Sequence, residues 1–139
     1  MQLTLEEPTV KDAPPAAVRV LAIDDNEEFC QIVKQLLEPL GYHVTTASNP
    51  VKALEGYTRT KDNIDLVLLD YYMPSLDGGK TFEWLRKLNP NVKVILCSGA
   101  EELRLRQLMV QHAIDGYIHK PFRLQEALRT IQQVMAKKT

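Results

Sequence analysis

The chain has 139 residues, which gives room for one domain and a short flanking segment. Apolar residues make up 45% and charged residues 25%, a balance that argues against wholesale disorder. Seventeen Lys and Arg against eighteen Asp and Glu leave a net charge of −1, so no overall charge draws the chain to nucleic acid or to an anionic membrane. No apolar run approaches the ~18 residues of a membrane span, and Glu6 and Glu7 stand where a signal peptide would be basic and then apolar. We therefore expect no direct nucleic-acid binding, no membrane association and a cytoplasmic location.

The first seventeen residues differ in character from the rest of the chain. They contain Pro8, Pro14 and Pro15 and show no apolar periodicity. This composition predicts a flexible lead or linker over residues 1–17, followed by a single domain over residues 18–139. A domain of this size leaves no room for a separate output domain in this sequence.

Five apolar runs alternate with five amphipathic stretches from residue 18 onward, as is typical of βα units around a parallel sheet. The apolar runs predict strands, in chain order, over residues 18–23, 43–47, 64–69, 92–97 and 116–119. The amphipathic stretches predict helices over about residues 29–40, 50–59, 80–88, 101–112 and 124–135. We expect a doubly wound α/β fold with a five-stranded parallel sheet.

Polar residues follow four of the five predicted strands. Asp24 and Asp25 follow the first strand, Asp70 the third, Ser98 the fourth and Lys120 the fifth. In a parallel α/β sheet the carboxyl ends of the strands share one edge, and ligands bind where the strand order reverses. If the strand order is 2-1-3-4-5, this reversal lies between the first and third strands. The sequence therefore predicts a site made of the three aspartates, flanked by the serine and the lysine.

Three neighbouring carboxylates favour particular chemistry. They repel one another, so such a site holds a proton or recruits a hard divalent cation, of which Mg²⁺ is the natural choice. A phosphoryl group brings about two negative charges, which a metal ion and a lysine can neutralise while a carboxylate attacks phosphorus to form an acyl phosphate. Lys120 would hold one phosphoryl oxygen, and the Ser98 hydroxyl would donate a hydrogen bond to another.

The spacing of these residues matches a known pattern over residues 18–138. The matching segments are Asp24-Asp25, Asp70 with Met73-Pro74 and Asp77-Gly78, Ser98-Gly99, and Lys120-Pro121-Phe122. On these residues the chain resembles the receiver domain of two-component response regulators. The resemblance implies a flavodoxin-like (βα)5 fold whose parallel sheet has the strand order 2-1-3-4-5. The resemblance leaves open whether the receiver stands alone or comes from a hybrid histidine kinase.

The resemblance implies a role for each matching residue. It makes Asp70 the phosphoacceptor, charged from a phosphohistidine on a histidine kinase or a histidine phosphotransfer protein. It makes Asp25 a metal ligand and Asp24 its neighbour that orients metal-bound water. Asp70 and the backbone carbonyl of Tyr72 complete the implied Mg²⁺ site.

The resemblance also implies a conformational switch. Ser98 matches the switch hydroxyl, Lys120 the lysine that contacts the phosphoryl group, and Tyr117 the aromatic residue that turns inward when the hydroxyl moves. The surface of the fourth helix, fifth strand and fifth helix is then the face for a homodimer, a downstream protein target or the remainder of a hybrid kinase. Such a domain catalyses its own phosphorylation and dephosphorylation and is not a conventional enzyme.

Two other functions stay open at this stage. The first is a Mg²⁺-dependent phosphohydrolase with Asp70 as nucleophile. Such enzymes usually carry a second acid two residues after the nucleophile, and Tyr72 at that position argues against this function. The second is a docking module that is not phosphorylated, which the sequence does not separate from a working switch.

Overall fold

The structure is a computed structural model that describes residues 18–60, 63–72 and 78–137. The predicted lead, residues 1–17, lies outside the described residues, as do Met73, Pro74 and Asp77. None of the helices in the described part of the chain has the length and apolar composition that crossing a membrane demands.

Strands and helices alternate through the described residues. The strands are β1 (Arg19–Ile23), β2 (His43–Ala47), β3 (Leu66–Asp70), β4 (Lys93–Ser98) and β5 (Gly116–His119). The helices are α1 (Glu27–Leu37), α2 (Pro50–Thr60), α3 (Gly78–Leu88), α4 (Glu102–His112) and α5 (Leu124–Ala136). All strand pairs are parallel, and the sheet order is β2-β1-β3-β4-β5. The predicted fold class and strand order are confirmed.

Several boundaries differ from the prediction for local reasons. The first helix is α-helical only to Leu37 and continues as a 3₁₀ turn over Glu38–Leu40, since Pro39 has no amide hydrogen to donate. Gly41 then ends the turn with a left-handed φ of 99°. The third strand begins at Leu66, two residues later than predicted. Asp65 precedes it because its carboxylate is bound to the Arg19 guanidinium at 3.0 Å.

Two apolar layers cover the sheet. Because side chains alternate along a strand, Val20 and Ala22 face the layer of α1 and α5, whereas Leu21 and Ile23 face the layer of α2, α3 and α4. All five residues of β3 and all six of β4 are buried. Central strands covered on both faces have little freedom to shift register, so the residues at their carboxyl ends are held firmly.

A close approach of two backbones forms the exit from β3. The Gly78 amide donates a hydrogen bond to the Tyr71 carbonyl at 2.7 Å. A Cβ atom on Gly78 would lie 2.5 Å from the Tyr71 Cα, closer than two such atoms can approach. Glycine at this position therefore lets the start of α3 return to the residue that follows Asp70.

We expect Gly78→Ala to lower the free energy of unfolding by roughly 1–3 kcal/mol, because the added methyl group meets backbone that cannot move aside cheaply. The matched control is Gly56→Ala within α2, where a Cβ atom meets nothing within 4 Å. That change should raise the free energy of unfolding by about 0.5–1 kcal/mol, the usual gain for alanine over glycine in a helix. Urea denaturation of the two variants measures both values. Equal effects from the two substitutions would contradict the steric argument.

Candidate functional site

The end of β1 and the start of α1 form one hydrogen-bonded unit. The Asp24 amide donates to the Ala47 carbonyl at 3.0 Å, which holds Asp24 beside the edge strand. Asp24 Oδ1 accepts from the Asn26 amide at 2.9 Å. Asn26 caps α1, and its side chain accepts from the Phe29 amide at 3.0 Å. Asp24 is thereby fixed and almost fully buried, with 2% of its surface exposed, whereas Asp25 is exposed.

The end of β3 supplies the third aspartate. Asp70 is the last residue of the strand and is 8% exposed. Its Oδ1 accepts from the Tyr72 amide at 3.3 Å, and the Tyr72 ring lies half exposed against the Tyr71 ring. A central strand thus carries an acidic side chain to the sheet edge without exposing it fully to water.

The three aspartates come together as predicted. Carboxylate oxygens of Asp24, Asp25 and Asp70 all lie within 4.8 Å of one another. Burial, and then repulsion by Asp24, raise the pKa of Asp70 to about 6, although Lys120 and the Tyr72 amide act in the opposite direction. A cluster of oxygen donors in which the charged form of one member is disfavoured suits a hard divalent cation such as Mg²⁺. The donor set therefore fits the metal that the sequence predicts.

Lys120 approaches this cluster from the end of β5. Its amide donates to the Ser98 carbonyl at 2.8 Å, and the Lys120–Pro121 peptide bond is cis. Its Nζ donates to Asp24 Oδ2 at 2.5 Å and lies 4.0 Å from the centroid of the Phe29 ring. Among the described residues, no ion pair joins Lys120 to Asp70. The ammonium is thus next to the cluster but bound to its first aspartate.

Ser98 and Tyr117 lie on neighbouring strands and share a face of the sheet. Tyr117 is paired with Leu96, and Ser98 is two residues further along β4, so both side chains belong to the face that α4 covers. The buried Ser98 hydroxyl accepts from the Ala100 amide at 3.1 Å. In the described part of the chain it makes no hydrogen bond to Asp70.

The Tyr117 hydroxyl is engaged at the surface of α4. It donates to Glu102 Oε2 at 2.8 Å and accepts from Arg106 Nε at 3.2 Å. Arg106 and Glu102 also form an ion pair at 2.8 Å. Hydrogen bonds from Tyr117 and then from Arg106 hold the pKa of Glu102 below its usual range. The ring is consequently tied to the outer side of α4 by two side chains.

Sequence reasoning missed several of these contacts. Asn26 directly after two aspartates, with Phe29 three positions later, is a recognisable helix cap. Phe29 belongs to the apolar stripe of α1, and nothing in its spacing indicates a cation above the ring. Glu102 lies in the first turn of α4, but its partner Tyr117 is fifteen residues away along the chain.

The order of the strands defines a flavodoxin-like α/β protein, and its three clustered aspartates lie where the strand order reverses. The model of the response regulator receiver domain family matches residues 20–132. The chain therefore belongs to the response regulator receiver domain family.

Known proteins agree with this assignment. The two-component response regulator ARR10 of Arabidopsis thaliana is 36% identical over 136 residues, which cover 97% of this chain and 24% of that protein. A response regulator receiver domain protein from Clostridium thermocellum has a TM-score of 0.78 at 30% identity, over 85% of this chain and 94% of its own. The CheX-CheY-BeF3-Mg²⁺ complex from Borrelia burgdorferi gives a TM-score of 0.81 at 25% identity, over 88% and 92% of the two chains. The chain spans about a quarter or less of the length of the curated relatives it matches.

We expect Asp70→Asn to stabilise the metal-free protein at neutral pH. Because the pKa of Asp70 is about 6 in the folded state and about 4 in an unfolded chain, ionisation costs stability as the pH rises through 6. The stability contributed by this group is fully present below about pH 4. The variant should therefore exceed the parent by roughly 1–2 kcal/mol at pH 7.5 and by little at pH 4.

Urea denaturation in chelator at several pH values measures this difference. Asp65→Asn is the control with the opposite sign. Burial alone would raise the pKa of Asp65, but hydrogen bonds and charge from Arg19 outweigh burial and lower it. That variant should lose stability at pH 7.5, and the loss should shrink as the pH falls through the lowered pKa. A stability gain for Asp70→Asn that does not depend on pH would contradict the electrostatic explanation.

Proposed function

We propose that the chain is a phosphoacceptor switch of a two-component system. It takes a phosphoryl group from a phosphohistidine, on a histidine kinase or a histidine phosphotransfer protein, onto Asp70 in a Mg²⁺-dependent reaction. The observation that carries this proposal is the cluster of Asp24, Asp25 and Asp70 at the strand-order reversal, with the Lys120 ammonium bound to its edge. Membership of the receiver family supports it, as does the complex of a structural neighbour with beryllium fluoride and Mg²⁺.

The transfer is a displacement at phosphorus. An ionised Asp70 oxygen attacks the phosphorus atom, the bond between phosphorus and the histidine nitrogen breaks, and its electron pair returns to the imidazole. Because the other ring nitrogen of the phosphohistidine carries a proton when the bond breaks, the products are an acyl phosphate on Asp70 and a neutral histidine on the partner. Because the pKa of Asp70 is near 6, its carboxylate is mostly ionised at neutral pH and remains a competent nucleophile.

The surrounding residues handle charge. Asp24, Asp25, Asp70 and the Tyr72 carbonyl would hold Mg²⁺, which supplies positive charge against the phosphoryl oxygens. Lys120 exchanges Asp24 for a phosphoryl oxygen, a short move because its ammonium already borders the cluster. Ser98 gives up the Ala100 amide and donates its hydroxyl hydrogen to a second phosphoryl oxygen.

The signal leaves through α4, β5 and α5. Movement of the Ser98 hydroxyl toward the acceptor opens space on the face of the sheet that it shares with Tyr117, so the ring turns inward and releases Glu102 and Arg106. The altered face then binds a downstream protein, the rest of a hybrid kinase or a second copy of the chain. A cytoplasmic location stays a prediction.

Labelling with acetyl phosphate tests the central step. In the presence of Mg²⁺ we expect one phosphoryl group per chain by intact mass, hydroxylamine-labile and located at Asp70. Chelator or Asp70→Asn should abolish labelling, whereas Asp65→Asn, which removes an aspartate at the opposite end of β3, should retain it. Absence of labelling in the parent protein would favour a docking module. Steady turnover of a phosphomonoester would favour a phosphohydrolase.

Release of Tyr117 should make activation easier. We expect Glu102→Ala to lower, about twofold, the concentration of beryllium fluoride that half-saturates the protein. The effect is small because the free energy of an exposed hydrogen-bonded pair corresponds to little more than a twofold change in an equilibrium constant. Amide NMR signals of α4 and β5 report the titration in Mg²⁺. Arg104→Ala, on the same helix but without a bond to Tyr117, should titrate like the parent. Equal midpoints for parent and Glu102→Ala would contradict the restraint, and signals that change only near Asp70 would contradict the switch.

A further inference from the structure

Phe29 has an unusual position for a residue of the core. It is half buried in the layer of α1 and α5, yet its ring face lies 4.0 Å from the Lys120 ammonium nitrogen. A cation over an aromatic face is attracted by the negative charge density of the ring, and more strongly where water is partly excluded. The Lys120 side chain is only 22% exposed, so this condition holds.

The ring is fixed from two sides. The Phe29 amide donates to the Asn26 side chain that caps α1, and this hydrogen bond fixes the backbone of Phe29 at the start of the helix. The ring itself meets the Phe122 ring edge to face, at 5.8 Å between centroids and 87° between planes. Phe122 lies two residues after Lys120, so the aromatic pair joins the start of α1 to the segment after β5.

These contacts form a closed circuit that includes Asp24 of the acidic cluster. Asp24 Oδ1 binds the Asn26 amide, Asn26 binds the Phe29 amide, the Phe29 ring supports Lys120, and Lys120 binds Asp24 Oδ2. Each member restricts the next one. Among the described residues, loss of the ring would leave the hydrogen bond to Asp24 as the one contact that holds the Lys120 ammonium.

We propose that Phe29 is a positioning residue for Lys120. The Phe29 ring guides the Lys120 ammonium between Asp24 and a phosphoryl group on Asp70. This inference rests on the proposed function. The attraction over a ring face varies gently with lateral position, unlike a hydrogen bond, so the ring stabilises the ammonium in both places and on the path between them. An aliphatic side chain of similar size fills the space but gives no such support.

The rate of Asp70 labelling by acetyl phosphate in Mg²⁺, with the full chain, tests the role. Phe29→Leu should lower the second-order rate constant about fivefold, which corresponds to about 1 kcal/mol. Phe29→Trp, which keeps an aromatic face, should retain most of the rate. Phe82→Leu is the matched control, since Phe82 also lies under a cation, Arg86, but in the opposite layer. It should lose stability and keep the parent rate.

A double-mutant cycle separates positioning from simple packing. In a Lys120→Met background, Phe29→Leu should lower the residual rate no further, because the ring acts only through the ammonium. An equal loss in both backgrounds would overturn the proposal, as would equal losses for Phe29→Leu and Phe29→Trp or a parent-like rate for Phe29→Leu. If Phe29→Leu does not fold, Phe29→Met takes its place in the same cycle.

A spectroscopic measurement without phosphodonor separates the positioning role of Phe29 from the proposed function of Asp70. The Lys120 ε-methylene protons should be shifted upfield by the ring, and the shift should vanish in Phe29→Leu and persist in Phe29→Trp. An absent shift in the parent removes the contact and overturns the positioning role alone. A parent protein with the shift but without labelling overturns the proposed function, and the positioning role falls with it.

Discussion

Repulsion between the Asp24 and Asp70 carboxylates is the constraint on which the site depends. Both side chains are almost fully buried, and their oxygens are within 4.8 Å of each other and of Asp25. Left alone, such a pair would separate or hold a proton. It stays together because β1 and β3 are adjacent central strands and their apolar residues are fully packed. Burial of one Leu or Ile side chain contributes roughly 1.5–3 kcal/mol, so a few of them offset the cost of the cluster.

This cost makes the site responsive. The charges of the clustered aspartates destabilise the metal-free protein. A cation or a shared ligand that neutralises these charges therefore stabilises the protein, and the stabilisation grows with the affinity of binding. Lys120 relieves only part of the repulsion, since its ammonium is bound to Asp24 while the pKa of Asp70 remains near 6. The cluster therefore retains a strong preference for further positive charge. The net charge of −1 for the whole chain gives no sign of this local imbalance.

Most of the fold, and the positions of the polar groups at the ends of the strands, could be predicted from the sequence. The alternation of strands and helices follows from apolar periodicity. The gathering of the three aspartates follows from the residues that end the strands, once the sheet has the strand order that the resemblance implies. Boundaries were less accurate where a tertiary contact decides them, as at Asp65, whose carboxylate binds Arg19 forty-six residues earlier. Pairings such as Tyr117 with Glu102 depend on how α4 sits against β5, and periodicity does not determine that angle.

Residue type and residue partner are different kinds of information, and the site shows why. Phe29 occupies a position in the apolar stripe of α1 that a leucine would fill equally well. Its place in the sequence therefore gives no reason to expect a role for its ring. Only the structure shows that the ring lies under a cation and that the α1 cap, through Asn26, is tied to Asp24. A helix start is thus part of the acidic site. The same geometry that stabilises α1 also limits where the Lys120 ammonium can go. Folding of the start of α1 therefore also determines where positive charge lies next to Asp24.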